Sequence, residues 1–291
     1  MAHGSRICPH CGGLNSVDAE RCYRCDEKLP GAALTALGGL YRSVLGEEFQ
    51  LTRLFIGLCG VVFVLTYLDA QAYLEREHVA RALFTGAGLR PSTLLRLGAL
   101  VGTVGDAEPW RYLSACFFHF GILHIGFNMA ALWDVGRVIE QRVGSARFVV
   151  VYVLTGVAGF VVGEAWYGLQ GVHPATAGAS GAIFGLIGAL IGYLYARRDP
   201  AWKQFLVRVG VYAVLFGLIL PVNNAAHLGG FAVGVPLGYL FYKESRPWRR
   251  AKLFGWVAAA LVLACVGSIA LSVWSPYWRI QREIEVTREI G

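Results

Sequence analysis

Seven stretches of this chain, at about 52–69, 121–138, 147–165, 178–196, 205–221, 225–242 and 253–274, run for close to 20 residues with few charges or none. That is the length a helix needs to cross roughly 30 Å of hydrocarbon. Inside hydrocarbon every backbone N–H and C=O must find its partner within the protein, which favours helices over any open strand. At 56% hydrophobic and 15% charged residues the chain is too apolar for a soluble domain of its size. The expected fold class is an all-α polytopic membrane protein.

The first 30 residues are polar and carry no apolar run of signal-peptide type, so the N-terminus is expected to stay in the cytoplasm. Most of the 26 lysines and arginines fall before span one and after spans two, four and six, Arg197, Arg198, Arg246, Arg249 and Arg250 among them. This is the positive-inside bias, and it accounts for the net charge of +7 without nucleic acid. Seven spans then put the C-terminus outside. The segment from 70 to 120, with the apolar run Leu94 to Val101, is too long for a structureless connection and is expected to be partly helical in the outer leaflet. The tail "RIQREIEVTREIG" is expected to be charged and exposed.

At the front, "CPHCGGLNSVDAERCYRC" supplies Cys8, Cys11, Cys22 and Cys25 as two C-x-x-C knuckles. Four thiolates so spaced suit one tetrahedral Zn²⁺, and a metal replaces the core that so short a segment lacks. Two disulfides would require an oxidising compartment, against the topology. His10 stands inside the first knuckle as a competing ligand, although four cysteines already close a site. The segment resembles a zinc ribbon, whose size suggests a docking module for another, unknown macromolecule or a regulatory handle. Cys59, Cys116 and Cys265 read as packing residues.

Polar groups inside a span are costly and therefore functional candidates. His124 and Asn128 in span two, Ser180 in span four and His227 in span six each lie within the first two turns of helices that enter from the same side, at a shared shallow depth. A neutral imidazole can take the proton of a serine hydroxyl, so His227 is the candidate base and Ser180 the nucleophile. His124 and Asn128, four residues apart on one helix face, can donate to an oxyanion together with the Ser180 backbone N–H. Asp134 lies too deep for a third member and is expected to pair with Arg137. Glu164 is a weaker candidate, and a Ser–His dyad is preferred.

With these motifs, Gly178-Ala179-Ser180-Gly181, His124 to Asn128 and Ala226-His227-Leu228-Gly229-Gly230, the region from about Trp110 to Tyr239 resembles the six-helix core of a rhomboid intramembrane serine protease. Ala182 departs from the family's G-x-S-x-G. The resemblance implies Ser180 as nucleophile, His227 as general base and acid, and His124 and Asn128 as oxyanion stabilisers, with no catalytic cofactor. Trp110-Arg111 and Glu140-Gln141-Arg142 look like its structural motifs, and Phe184 like an aromatic that packs on the catalytic histidine. The implied organisation is a zinc ribbon over 1–30, a linker over 31–51, the core over 52–242, and a seventh helix with its tail over 243–291. Substrates would be single-span or other membrane proteins, cut in the lipid bilayer of a bacterial cytoplasmic membrane. Two rival readings differ in class. A catalytically silent rhomboid-like binding factor would be expected to lack the serine or the histidine, and a transporter would carry its polar groups at the midplane.

Overall fold

In a computed structural model the described residues are 5–8, 11–16, 18–29, 51–219, 222–244 and 250–290. His10, Pro221, Arg246, Arg249 and nearly all of the 31–51 linker lie outside them. The front module pairs strands β1 (Ser5–Ile7) and β2 (Leu14–Ser16) antiparallel. Next come α1 (Leu51–Ala70), α2 (Arg76–Thr85), α3 (Pro91–Arg96), α4 (Val104–Ala107) and α5 (Arg111–Ser114). Helix α6 runs continuously through Ile122–Ala131, a π turn at Leu132–Gly136 and Arg137–Val143. It is followed by α7 (Ser145–Leu169), α8 (Ser180–Ala196), α9 (Ala201–Ile219), α10 (Asn224–Lys243), α11 (Ala251–Trp274) and α12 (Tyr277–Ile290).

Each expected span coincides with a helix. Among the described residues four stretches can cross a membrane alone by length and composition: α1, α7, α10 and Ala251–Ile290, which contains α11. Two of the others fall short for visible reasons: α8 is apolar with only 17 residues, and α6 ends in the charged Arg137–Val143 turn. The 70–120 segment is partly helical, as expected. The tail is exposed, as expected, with no buried residue in α12, although that helix folds back onto α3. One expectation fails. The Arg137 guanidinium lies 4.5 Å from the centre of the Trp133 ring, in place of an ion pair with Asp134.

The most closely packed pair is α8 and α10, and glycine explains why. A Cβ added to Gly230 would sit 2.0 Å from the Gly181 carbonyl oxygen, one on Gly234 2.0 Å from that of Gly185, and one on Gly238 1.8 Å from that of Ala189. Reciprocally, Gly192 lies so close to Val235 that its Cβ would be 2.0 Å from that carbonyl oxygen. Two backbones touch directly along a four-residue period, the arrangement that small-x-x-x-small helices permit. Helix α7 closes the third side, with Gly156 and Gly159 against Ala182 and Gly181.

At the far end of the bundle Glu140, 4% exposed, accepts three hydrogen bonds from the first turn of α1: Leu51 N–H at 2.7 Å, Thr52 N–H at 3.0 Å and Thr52 O–H at 2.6 Å. A carboxylate there satisfies orphan donors and complements the helix dipole. Glu140 thus ties α6 to α1.

Gly234→Ala is expected to force α8 and α10 apart at a cost of about 3 kcal/mol. Gly255→Ala, at a position on α11 where an added Cβ meets nothing within 4 Å, should be neutral or slightly stabilising. Denaturant unfolding in detergent micelles separates the two.

Candidate active site

Ser180 is the first residue of α8, so its backbone N–H has no carbonyl partner within the helix. Gly178 just before it has φ +126°, a backbone angle open in practice to glycine, and an added Cβ would fall 2.7 Å from His124 Nε2. Gly178 therefore serves the loop and the histidine's approach. It takes no part in the helix contact for which Gly181 and Gly185 are used.

His227 stands in the first turn of α10. Asn223 fixes that turn: its side-chain Oδ1 accepts the Ala226 N–H at 2.9 Å and its carbonyl accepts the His227 N–H at 3.1 Å. Because the glycine seam sets the register of α8 against α10, His227 Nε2 arrives 2.8 Å from Ser180 Oγ. The Phe184 ring, one turn along α8, lies parallel to the imidazole at 4.3 Å and 7°. Stacking on one face and a hydrogen bond at the edge hold the ring to one orientation. Among the described residues no carboxylate is bonded to His227. Glu164 accepts the Thr176 hydroxyl at 2.7 Å, so it serves the loop ahead of Ser180 and is not a triad member.

Helix α6 brings His124 and Asn128 to the same place. The Phe120 N–H donates to His124 Nδ1 at 3.4 Å, which leaves the ring proton on Nε2, the nitrogen that faces Gly178. Asn128, 7% exposed, donates one Nδ2 hydrogen to the His124 carbonyl at 2.8 Å. That bond orients the amide, leaving its second N–H free and its buried Oδ1 without a partner. All four residues singled out from sequence are thus brought together by α6, α8 and α10.

One residue that sequence reasoning missed completes the scaffold. His119, fully buried between α5 and α6, accepts the Ala179 N–H on Nε2 at 3.3 Å and donates from Nδ1 to the Phe117 carbonyl at 3.3 Å. It also packs edge-on against His124, 5.0 Å between ring centres. The loop before Ser180 hangs on the 97–119 segment at two further points: Leu100 and Thr176 exchange backbone hydrogen bonds at 3.0 and 2.8 Å, and the Gly178 N–H reaches the Ala115 carbonyl at 2.8 Å. Below them Arg111, fully buried, donates to Glu108 at 2.6 Å and to the carbonyls of Leu95 and Ala99 at 2.6 and 3.2 Å. The only sequence signal for His119 was its position five residues before His124, just outside the apolar run.

The front module holds a second cluster. The Sγ atoms of Cys8, Cys11, Cys22 and Cys25 all lie within 4.8 Å of one another. The Cys8–Cys25 and Cys11–Cys22 separations are 3.8 and 3.5 Å, far too long for disulfides. They match the edge of roughly 3.8 Å that four ligands at about 2.3 Å from a tetrahedral metal require. The two knuckles repeat one turn. Gly12 N–H bonds the Cys8 carbonyl and Asp26 N–H that of Cys22, with Gly12 and Asp26 both left-handed at φ +68° and +55°. Four close cysteines able to hold a metal ion are therefore present.

Residues 106–244 match the family model described as "Rhomboid domain". The chain is 32% identical over 203 residues to "Rhomboid protease GluP" of Bacillus subtilis, covering 66% of this chain and 37% of that protein. It is 36% identical to "RHOMBOID-like protein 5" of Arabidopsis thaliana, covering 59% and 56%. With "Rhomboid protease GlpG" of Klebsiella pneumoniae the identity is 33%, over 46% and 49%. The chain thus spans from about a third to just over half of the length of these curated relatives.

Burial holds the His119 imidazole well below its ordinary titration range, and its Nε2 must stay unprotonated to accept from Ala179. As pH falls below about 6.5 the unfolded chain binds this proton first, so stability is complete above that pH and is lost below it, by up to about 1.4 kcal/mol per pH unit. His119→Gln is expected to flatten this part of the profile, read as unfolding midpoint against pH from 7 to 5.

Proposed function

Residues 106–244 are a rhomboid domain, which makes this integral membrane protein a member of the rhomboid family, and from that premise we propose that it is an intramembrane serine endopeptidase. The observation that carries the reading is the 2.8 Å contact between His227 Nε2 and Ser180 Oγ, in a place where a free hydroxyl and imidazole are otherwise costly. His227 takes the hydroxyl proton as Oγ attacks a peptide carbonyl. The carbonyl oxygen, now anionic, accepts from the Ser180 N–H, from His124 Nε2 and from the free Asn128 N–H. The C–N bond then breaks, the amine leaves with the proton held on His227, and water repeats the sequence to release the acyl group. Phe184 keeps the imidazole in line through both halves.

The scissile bond lies in or near the end of another membrane protein's transmembrane segment, because Ser180 opens its helix and sits at one end of the bundle. Attack needs an extended backbone, so substrates with small or helix-breaking residues there are preferred. In the proposed orientation the ribbon faces the cytoplasm and the Ser180 end faces outward across a bacterial cytoplasmic membrane. The ribbon over 1–30, the core over 52–242 and the seventh helix with its tail over 243–291 are its parts. Cys8, Cys11, Cys22 and Cys25 hold one structural Zn²⁺, which folds the ribbon and takes no part in proteolysis.

Ser180→Ala and His227→Ala are each expected to abolish cleavage of a transmembrane reporter while the protein still folds, and Ser180→Ala to abolish labelling by a fluorophosphonate probe. Full cleavage by either variant removes the dyad. His124→Ala should cost about 10- to 1000-fold in kcat, as lost oxyanion donors do. Metal analysis of the full chain should give one zinc per molecule, absent from the Cys8→Ser, Cys22→Ser variant, whose proteolysis persists.

A further inference from the structure

Helices α11 and α12 carry none of the groups that do chemistry, yet they end against the segment from which the Ser180 loop hangs. Helix α3 begins at Pro91 with Arg90 as its N-cap, and Arg90 makes no side-chain capping bond. The missing acceptor comes from 193 residues away: the Glu285 carboxylate of α12 takes the Ser92 N–H at 3.0 Å and the Ser92 hydroxyl at 2.5 Å. Two further contacts flank it. Arg90 donates to Glu289 at 2.6 Å, and the Arg96 guanidinium lies 4.8 Å from the centre of the Trp278 ring while it pairs with Asp69 at the end of α1. Lower down, the buried hydroxyls of Ser114 and Ser272 meet at 3.3 Å, tying α11 to α5.

The other end of α3 leads to the nucleophile. Its Leu95 carbonyl and that of Ala99 receive Arg111, and Leu100 pairs with Thr176, four residues before Ser180. Direct bonds therefore join Glu285 to Ser92, Arg111 to Leu95 and Ala99, and Leu100 to Thr176, and the chain from Leu95 to Leu100 links them to the loop that presents the Ser180 N–H. Charge-assisted bonds at a helix start are the strong and directional kind.

We propose that α12 is a clasp and Glu285 a positioning residue: by capping α3 it holds the 92–100 segment in the place that sets residues 176–180. The activity arm of the test rests on the proteolytic reading, whereas the exchange arm does not. Full-length Glu285→Ala is compared with Glu285→Gln, which keeps an acceptor for the Ser92 N–H, and with Glu283→Ala, an exposed neighbour on α12. In Glu285→Ala, amide hydrogen exchange over 92–100 and 176–180 is expected to quicken about tenfold with the rest of the bundle unchanged. Reporter cleavage should lose roughly tenfold in kcat with KM within about twofold, the signature of misplaced reacting groups. Glu285→Gln should recover most of both, and Glu283→Ala should match wild type. Unchanged exchange at 176–180 in Glu285→Ala, exchange that quickens uniformly through the bundle, or an equal effect in Glu283→Ala overturns the clasp. If exchange shifts as expected but wild type cleaves nothing, the clasp stands and the proteolytic reading falls.

Discussion

The approach of two backbones without side chains between them is the constraint on which the rest depends. Gly230, Gly234 and Gly238 lie against the carbonyls of Gly181, Gly185 and Ala189, a match repeated every four residues. Such a seam admits one register, because a slip by one residue would drive a side chain into a carbonyl. In hydrocarbon the lipid tails supply no hydrophobic drive for helices to associate, so close van der Waals contact of this kind is what holds α8 to α10. The pairing of a serine on one helix with a histidine on the other is a by-product of that register.

The second requirement is that irregular backbone be satisfied before it approaches lipid. The 70–120 segment meets it with charged groups turned inward. Arg111 and Glu108, both at most 2% exposed, make an ion pair whose guanidinium is spent largely on main-chain carbonyls. Removing either partner would leave an uncompensated buried charge, the costly way to break such a pair. Glu140 does the same work at the opposite end of the bundle, where it answers the unpaired donors of α1. The protein thus uses buried charge to close off ends of helices, a different use from catalysis.

The helices and the Ser180, His227, His124 and Asn128 group were legible in the sequence because each rests on a pattern with one physical meaning: apolar length, small-residue period, and polar residues at a common depth. Cys8, Cys11, Cys22 and Cys25 were legible for the same reason, as spacing alone limits what four thiols can do. What was not legible depends on partners far apart in the chain. His119 earns its role from the Ala179 N–H, sixty positions away. Glu285 looks like one charge in a polar tail until Ser92 is beside it. Arg137 had an acid three residues before it and chose the Trp133 ring, since the intervening π turn rotates Asp134 off the helix face that a regular α-helix would give it.

Helix α8 has 17 residues, which at 1.5 Å each is about 26 Å, less than the roughly 30 Å of a typical hydrocarbon layer. Thirteen of those 17 residues are buried against neighbouring helices, so the longer α7 and α10 packed on it stand between α8 and the lipid. A short helix enclosed by longer ones can begin within the layer, and a hydroxyl on its first residue then lies beneath the rim of the bundle instead of on it.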